Sequence, residues 1–374
     1  MKNLSSSFIL LFSLASTTFG QFSVVVNEGY GTGKHKGASR FVHIWAKANP
    51  PNMVFDRWSG DTHLLIDPTA WHTRLNPKQK NINLTATYKN AAAWVPVYET
   101  INGREYGYYF PPNARGLVFW FHGTGGNARS FFYRMESRYS ANNFAAAGFA
   151  VVALDSNNRV DNQWDNTGNP PNNADISNIQ AIVNSFIGRG FMTVNSPVFS
   201  SGMSNGGAFS PRVAYALQFE AAAVYCAQGG AYISVRNVPT VWNMAQNDGN
   251  ENVGANGYNS SLNFFRILTE RGVAAQHNTL VASPLYAQRF ARIPGLSLSD
   301  SQAIFDILKV NNFLDRENYL RENPAVSNWE SVIPAAYTSY YQSIRTQLDV
   351  SFAEHEYFSD NDGRVIAFFN ARLQ

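Results

Sequence analysis

The most constraining feature of this chain is the run Gly202-Met203-Ser204-Asn205-Gly206-Gly207. It joins an apolar strand-like segment (196–202, SPVFSSG) to a helix-like one (209–220, FSPRVAYALQFE). A serine at such a junction sits in a strained turn that lifts its hydroxyl above the sheet, and flanking glycines let strand and helix pass closely. The helix that follows aims the partial positive charge of its N-terminus at the reacting centre, favouring developing negative charge. The pattern asks for strand, sharp turn and helix in that order, and marks Ser204 as a candidate nucleophile.

The chain beyond residue 90 supplies a sheet for that turn. Apolar strand-like runs occur at 116–123, 149–156, 196–202, 221–227, 239–245 and 347–353, with helix-like stretches such as ISNIQAIVNSFIGRG between most of them. Continuous apolar strands joined by amphipathic segments imply a mostly parallel sheet with helices on both faces. Ahead of it, Val95 to Thr100 and Glu105 to Phe110 flank Asn102-Gly103, a strong hairpin signal.

A second glycine-rich turn, His122-Gly123-Thr124-Gly125-Gly126, ends the run GLVFWF. With GMSNGG it makes residues 91–374 resemble the α/β-hydrolases, in style the secreted polyhydroxybutyrate-depolymerase-like and feruloyl-type serine esterases. The resemblance implies an α/β-hydrolase fold, a serine–acid–histidine order along the chain, and ester cleavage through an acyl-enzyme on Ser204. It also implies an oxyanion hole made by the N–H of Asn205 and the N–H of Thr124, with Gly125 as the alternative donor. His122, in such a motif, supports the loop.

The stretch PTVWNMAQND resembles the seventh-strand signature PTLFIHGxxD of that family, which places Asp248 on the acid position. Met244-Ala245 stands where His-Gly is usual, and Glu251 is the second candidate acid. Of seven histidines, His35, His43, His63 and His72 fall in the N-terminal part, His122 in the glycine turn, and His277 in a polar helix-like stretch. His355 follows the apolar run QLDVSFAE and precedes DGRVIAFFNARL, as the family's base does. A histidine there takes the serine proton and returns it to the leaving alcohol, while a buried carboxylate fixes its tautomer.

The stretch between Asp248 and His355 is far longer than one crossover helix needs, so a helical cap insertion is expected over about 255–345. Its aromatics (Tyr286, Phe290, Trp329, Tyr337, Tyr340, Tyr341) either line an acyl or aryl pocket or form the cap's own core. Trp164, in the Asn- and Pro-rich loop 155–175, is a candidate substrate contact. The single cysteine, Cys226, excludes an internal disulfide and reads as core packing. With no HExxH and no Cys/His spacing, no metal and no cofactor is implied.

Residues 21–90 differ in kind: FSVVV, RFVHIWAKA, HLLID and INLTATY alternate or run apolar between Gly, Pro and Asn clusters, which reads as a small all-β domain. EGYGTG, VHIWAKANPPNMVFDRWSGD and NINLTATYK resemble one copy of the bacterial modules related to internalin B-repeats, which implies a spacer or adhesive role. Trp45, Phe55 and Trp58 are expected in its core. Before it, Lys2, the apolar run FILLFSLA and Thr18-Phe19-Gly20 read as a cleavable export signal over residues 1–20, so a secreted or periplasmic protein is expected.

A net charge of +3, spread evenly, argues against nucleic acid, and no later run is long enough for a membrane-spanning helix. The expected partner is an ester substrate, free, polymeric or polysaccharide-linked. A serine peptidase of the same fold and a non-catalytic surface protein built around the β domain are the alternatives.

Overall fold

The computed structural model describes residues 21–36, 41–76, 81–230 and 232–373; the export-signal residues lie outside them. Its centre is an eight-stranded sheet: β1 (Val97–Ile101), β2 (Arg104–Tyr109), β3 (Gly116–Phe121), β4 (Phe149–Leu154), β5 (Val198–Met203), β6 (Ala221–Tyr225), β7 (Thr240–Ala245) and β8 (Ala275–Leu280). The spatial order is β1-β2-β4-β3-β5-β6-β7-β8. β1 and β2 form the expected hairpin, with Thr100 opposite Glu105 and the turn residues Asn102 and Gly103 both at positive φ. β2 pairs antiparallel with β4, and every pairing from β4 through β8 is parallel. This is the α/β-hydrolase arrangement, with the strand order reversing between β4 and β3.

The helices are α1 (Ala128–Tyr133), α2 (Met135–Ala146), α3 (Ala174–Gly188), α4 (Asn205–Ala216), α5 (Tyr232–Arg236), α6 (Gly254–Glu270), α7 (Leu298–Val310), α8 (Tyr341–Phe352) and α9 (Asp362–Asn370). Strand alternation sorts the core onto two faces. Val118 and Trp120 of β3 meet Phe131 of α1, Phe144 of α2 and Phe369 of α9. Leu117, Phe119 and Phe121 of the same strand meet Ile179 of α3 and Phe209 of α4. β3 is buried on both faces, as a central parallel strand must be.

Two expectations about elements are corrected. Of residues 347–353, read as the last strand, 347–352 belong to α8, where Ile344, Gln347, Leu348 and Ser351 recur at helical spacing on a buried face, and Ala353 caps the helix in the left-handed region. The eighth strand is Ala275–Leu280, read from sequence as helix-like. It is an edge strand with a polar sequence, so little apolar alternation announces it. The helical insertion therefore begins after Leu280, later than expected. Its own core joins Phe290, Ile304, Leu308 and Trp329 to Leu348 of α8 and Met135 of α2.

The N-terminal part holds a four-stranded sheet ordered Gly33–Lys36, Gln21–Asn27, Asn81–Asn90, Met53–Gly60 and a three-stranded one ordered Gly29–Tyr30, Val42–Ala46, His72–Leu75. Trp45 and Trp58 are buried there, and the Trp58 indole N–H donates to the Ala70 carbonyl at 2.9 Å. The β domain is packed onto the α/β part. The Trp45 ring stacks on Tyr286 of the insertion with centroids 4.3 Å apart. Arg364 of α9 pairs with Asp67, and a Cβ on Gly363 would lie 2.5 Å from Thr69 Oγ1.

Candidate active site

Ser204 stands between β5 and α4 with φ 56° and ψ −120°, the strained turn that the glycine pattern demands. Its N–H donates to the Tyr225 carbonyl at 2.9 Å, fastening the turn to β6. A Cβ on Gly202 would lie 2.1 Å from the Gly206 carbonyl oxygen, and one on Gly206 would lie 2.3 Å from that of Phe121. No side chain fits at either position, because strand, helix and the end of β3 converge there.

β3 delivers the second glycine turn to the same place: a Cβ on Gly123 would be 3.4 Å from Ser204 Cβ. Asn205 is the first residue of α4, so its N–H has no acceptor within the helix. Thr124 lines the cavity over Ser204, and its N–H meets no acceptor among the described residues. The alternative donor, the N–H of Gly125, is already given to the Asp161 carbonyl at 3.1 Å. The His122 ring folds back on its own turn, Nδ1 lying 2.8 Å from the Gly123 carbonyl, and burial lowers its pKa to about 4. It is a neutral strut of the turn.

Asp248 and His355 come together from loops after β7 and α8. His355 Nδ1 lies 2.9 and 3.0 Å from the two Asp248 carboxylate oxygens. That leaves Nε2 as the ring nitrogen free for proton transfer, and His355 lines the same cavity as Ser204. Asp248 is nearly fully buried and also accepts the Asn250 N–H at 3.0 Å. Glu251 is exposed and makes no pair with the histidine.

Three residues that sequence reasoning passed over hold this pair in place. Glu354 Oε1 accepts the N–H of His355 at 2.8 Å and the N–H of Gly249 at 2.6 Å, and its other oxygen accepts from the Asn323 side chain. Asn247 donates its side-chain amide to the Phe352 carbonyl at 2.6 Å and its backbone N–H to that of Ala353 at 2.8 Å. The signal available for Glu354 was a carboxylate directly preceding the candidate base.

Ser204 and His355 open into a cavity of about 620 Å³ whose wall mixes polar groups (Arg134, Gln163, Gln228, Thr346, Glu356) with apolar ones (Phe131, Met203, Val253, Tyr357). Trp164, expected to touch substrate, is instead buried behind that wall. Its ring stacks on Phe209 at 5.0 Å, its indole N–H donates to the His122 carbonyl at 2.8 Å, and its backbone N–H donates to Asn205 Oδ1 at 2.7 Å. It pins the glycine turn to the serine helix. The insertion's aromatics do not line the cavity either: Phe290 and Trp329 are its own core, and Tyr286 packs on the β domain. Cys226 is fully buried close to Asp248 and His355, and burial pushes its thiol well above the usual range, which removes it as a competing nucleophile. No helix among the described residues is long and apolar enough to cross a membrane.

No protein-family model matches the chain, and no curated protein matches it. Among solved structures it is similar to an acetyl xylan esterase from Aspergillus awamori, at 16% identity over 47% of this chain and 81% of that one, with a TM-score of 0.38. A ferulic acid esterase matches at 11% identity over 50% and 89% of the two chains, with a TM-score of 0.38. Thermogutta terrifontis esterase 2 matches at 13% identity over 59% and 96%, with a TM-score of 0.37. At these values the fold assignment rests on strand order and pairing rather than on the matches.

Proposed function

We propose that this protein is a serine hydrolase that cleaves carboxylic esters, with Ser204 as nucleophile, His355 as base and Asp248 as the orienting acid. The observation that carries the reading is the strained Ser204 turn opening into the same cavity as a histidine whose Nδ1 is held by a buried carboxylate. His355 Nε2 takes the proton as Ser204 Oγ attacks the ester carbonyl, and the imidazolium returns it to the departing alcohol. The N–H groups of Asn205 and Thr124 stabilise the oxyanion. Water, deprotonated by the same histidine, then releases the acid from the acyl-serine.

The export-type N-terminus supports action outside the cytoplasm, in the periplasm or beyond the cell, on a soluble, polymeric or polysaccharide-linked ester. The test is hydrolysis of p-nitrophenyl esters from acetate to palmitate by the mature chain and by Ser204→Ala. Turnover that disappears in the variant supports the reading, and the preferred length sizes the acyl site. A folded protein with no activity on any of them would sink it.

A further inference from the structure

A second cleft, of about 300 Å³, lies between the β domain and helices α2 and α9, and shares no residue with the Ser204 cavity. Its walls carry five cationic side chains: Lys47, Arg57 and Lys89 from the β domain, Arg115 and Arg292 from the hydrolase part. Their carboxylate partners are fewer. Lys47 pairs with Glu28 at 3.2 Å, and Arg292 with Glu136 at 3.7 Å. Arg57 and Lys89 share Asp56, at 3.1 and 3.6 Å. Arg115 donates to two neutral oxygens, the Ala147 carbonyl at 2.7 Å and Asn370 Oδ1 at 2.8 Å, and meets no carboxylate among the described residues. Asp362, the other acid facing the cleft, is buried and already satisfied, its two oxygens accepting from Ser140 Oγ at 2.8 Å and Asn143 Nδ2 at 2.7 Å, and burial pushes its carboxyl well above the usual range.

Two buried donors in the same wall lack acceptors. Trp71 is 8% exposed and its indole N–H has no partner among the described residues; the Nε–H of Arg292, 7% exposed, has none either. An unmet buried donor costs free energy comparable to a lost hydrogen bond, so such groups call for an acceptor. Phe55 and Ile366 add apolar surface beside them.

We propose that this cleft binds a small organic anion, a carboxylate, sulfate or phosphate carried on a ring-sized body. The unbalanced cations attract its charge, Arg115 and Lys89 offer surface-accessible charged donors, the unmet Nε–H of Arg292 (whose guanidinium is stacked on Trp71 at 3.5 Å) offers one more, and the apolar wall accepts the ring. The volume sits at the lower end of small-molecule sites, which suits one sugar-sized unit. The β domain then contributes half of a ligand site rather than serving as a spacer.

The experiment is titration calorimetry of the whole mature chain with glucuronate, glucose 6-sulfate, glucose 6-phosphate and glucose, at low and high salt. The proposal expects at least one charged sugar to bind one to one, glucose not to bind, and binding to weaken with salt. The Arg115→Gln/Lys89→Gln double variant should lose about tenfold in affinity, the scale of one strong charge-assisted contact. Both side chains are surface-accessible, so the fold should hold, and Lys89→Gln alone serves if the double variant melts early. The sugar that binds identifies the charged group. Ser204→Ala should bind as the parent does, and the double variant should hydrolyse p-nitrophenyl acetate normally. Equal binding of glucose, no binding of any charged sugar at millimolar concentration, an unchanged affinity in the variants, or loss of binding in Ser204→Ala would each overturn the proposal.

Discussion

Glu354 holds His355 by the histidine's own backbone, accepting its N–H at 2.8 Å while the same oxygen accepts Gly249 N–H at 2.6 Å. One buried carboxylate thus locks the loop of the acid to the loop of the base. Removing it leaves backbone and Asn323 donors without an acceptor and frees the two loops to shift. Glu354→Ala is expected to lower kcat by about a hundredfold, the usual scale for a misplaced catalytic group, with KM little changed. Glu354→Gln, which keeps one acceptor oxygen, should recover most of the loss. Steady-state kinetics checks this; an effect confined to KM would contradict a positioning role.

The close approach at the serine turn makes Gly206 intolerant of any side chain. Gly206→Ala places a methyl 2.3 Å from the Phe121 carbonyl and 2.5 Å from that of His122, both backbone atoms that cannot swing away. The turn carrying Thr124 must move as a result. Thermal melts should show a loss of several degrees, and kcat should fall with it; a variant as stable and active as the parent would refute the packing at this point.

Assigning the oxyanion donor to the Thr124 backbone makes its side chain dispensable. Thr124→Ser should keep full activity, and Thr124→Pro, which removes the N–H, should lose about a hundred- to thousandfold in kcat. Equal tolerance of both substitutions would pass the role elsewhere.

Much of this site was legible because its chemistry forces its sequence. Ser204, flanked by Gly202 and Gly206, is written in glycines because backbone carbonyls occupy the space a Cβ would need. The strand-end pattern and the final helix single out Asp248 and His355, which the structure brings within 3.0 Å of each other even though the element before His355 is α8 rather than a strand. That segment misled because LDVSFA alternates as a strand does while its buried face repeats at helical spacing. β8 was missed because an edge strand needs few apolar residues, and His277, Asn278 and Thr279 supply none. The sequence locates the loop carrying Trp164 near the site but does not say which side of the wall its ring takes. Glu354 could not be told from a solvated charge until Gly249, more than a hundred residues away, was seen to donate to it.

Burial also sets an acid limit on stability. It holds the His122 and His277 pKa values at about 4 and that of His43 at about 2, below the unfolded value near 6.5. The unfolded chain therefore binds more protons once pH falls below about 6.5, and the stability these neutral rings contribute above it is lost toward their native values. Asp349, raised by burial to about 6, acts in the opposite sense as the pH falls further. The histidine part is isolated by comparison: His277→Gln should lose less stability than the parent between pH 7 and pH 5 in denaturant titrations. An identical or steeper loss in the variant would contradict the assignment.

The central claim is that Ser204 is an activated nucleophile, and covalent labelling tests it most directly. The chain from Gln21 onward is treated with a fluorophosphonate at neutral pH and the adduct is located by mass spectrometry of its peptides. The account predicts one adduct per chain, on Ser204, formed far more slowly in His355→Ala and absent in Ser204→Ala. A folded chain that stays unlabelled, or that carries its label on another residue, would contradict it.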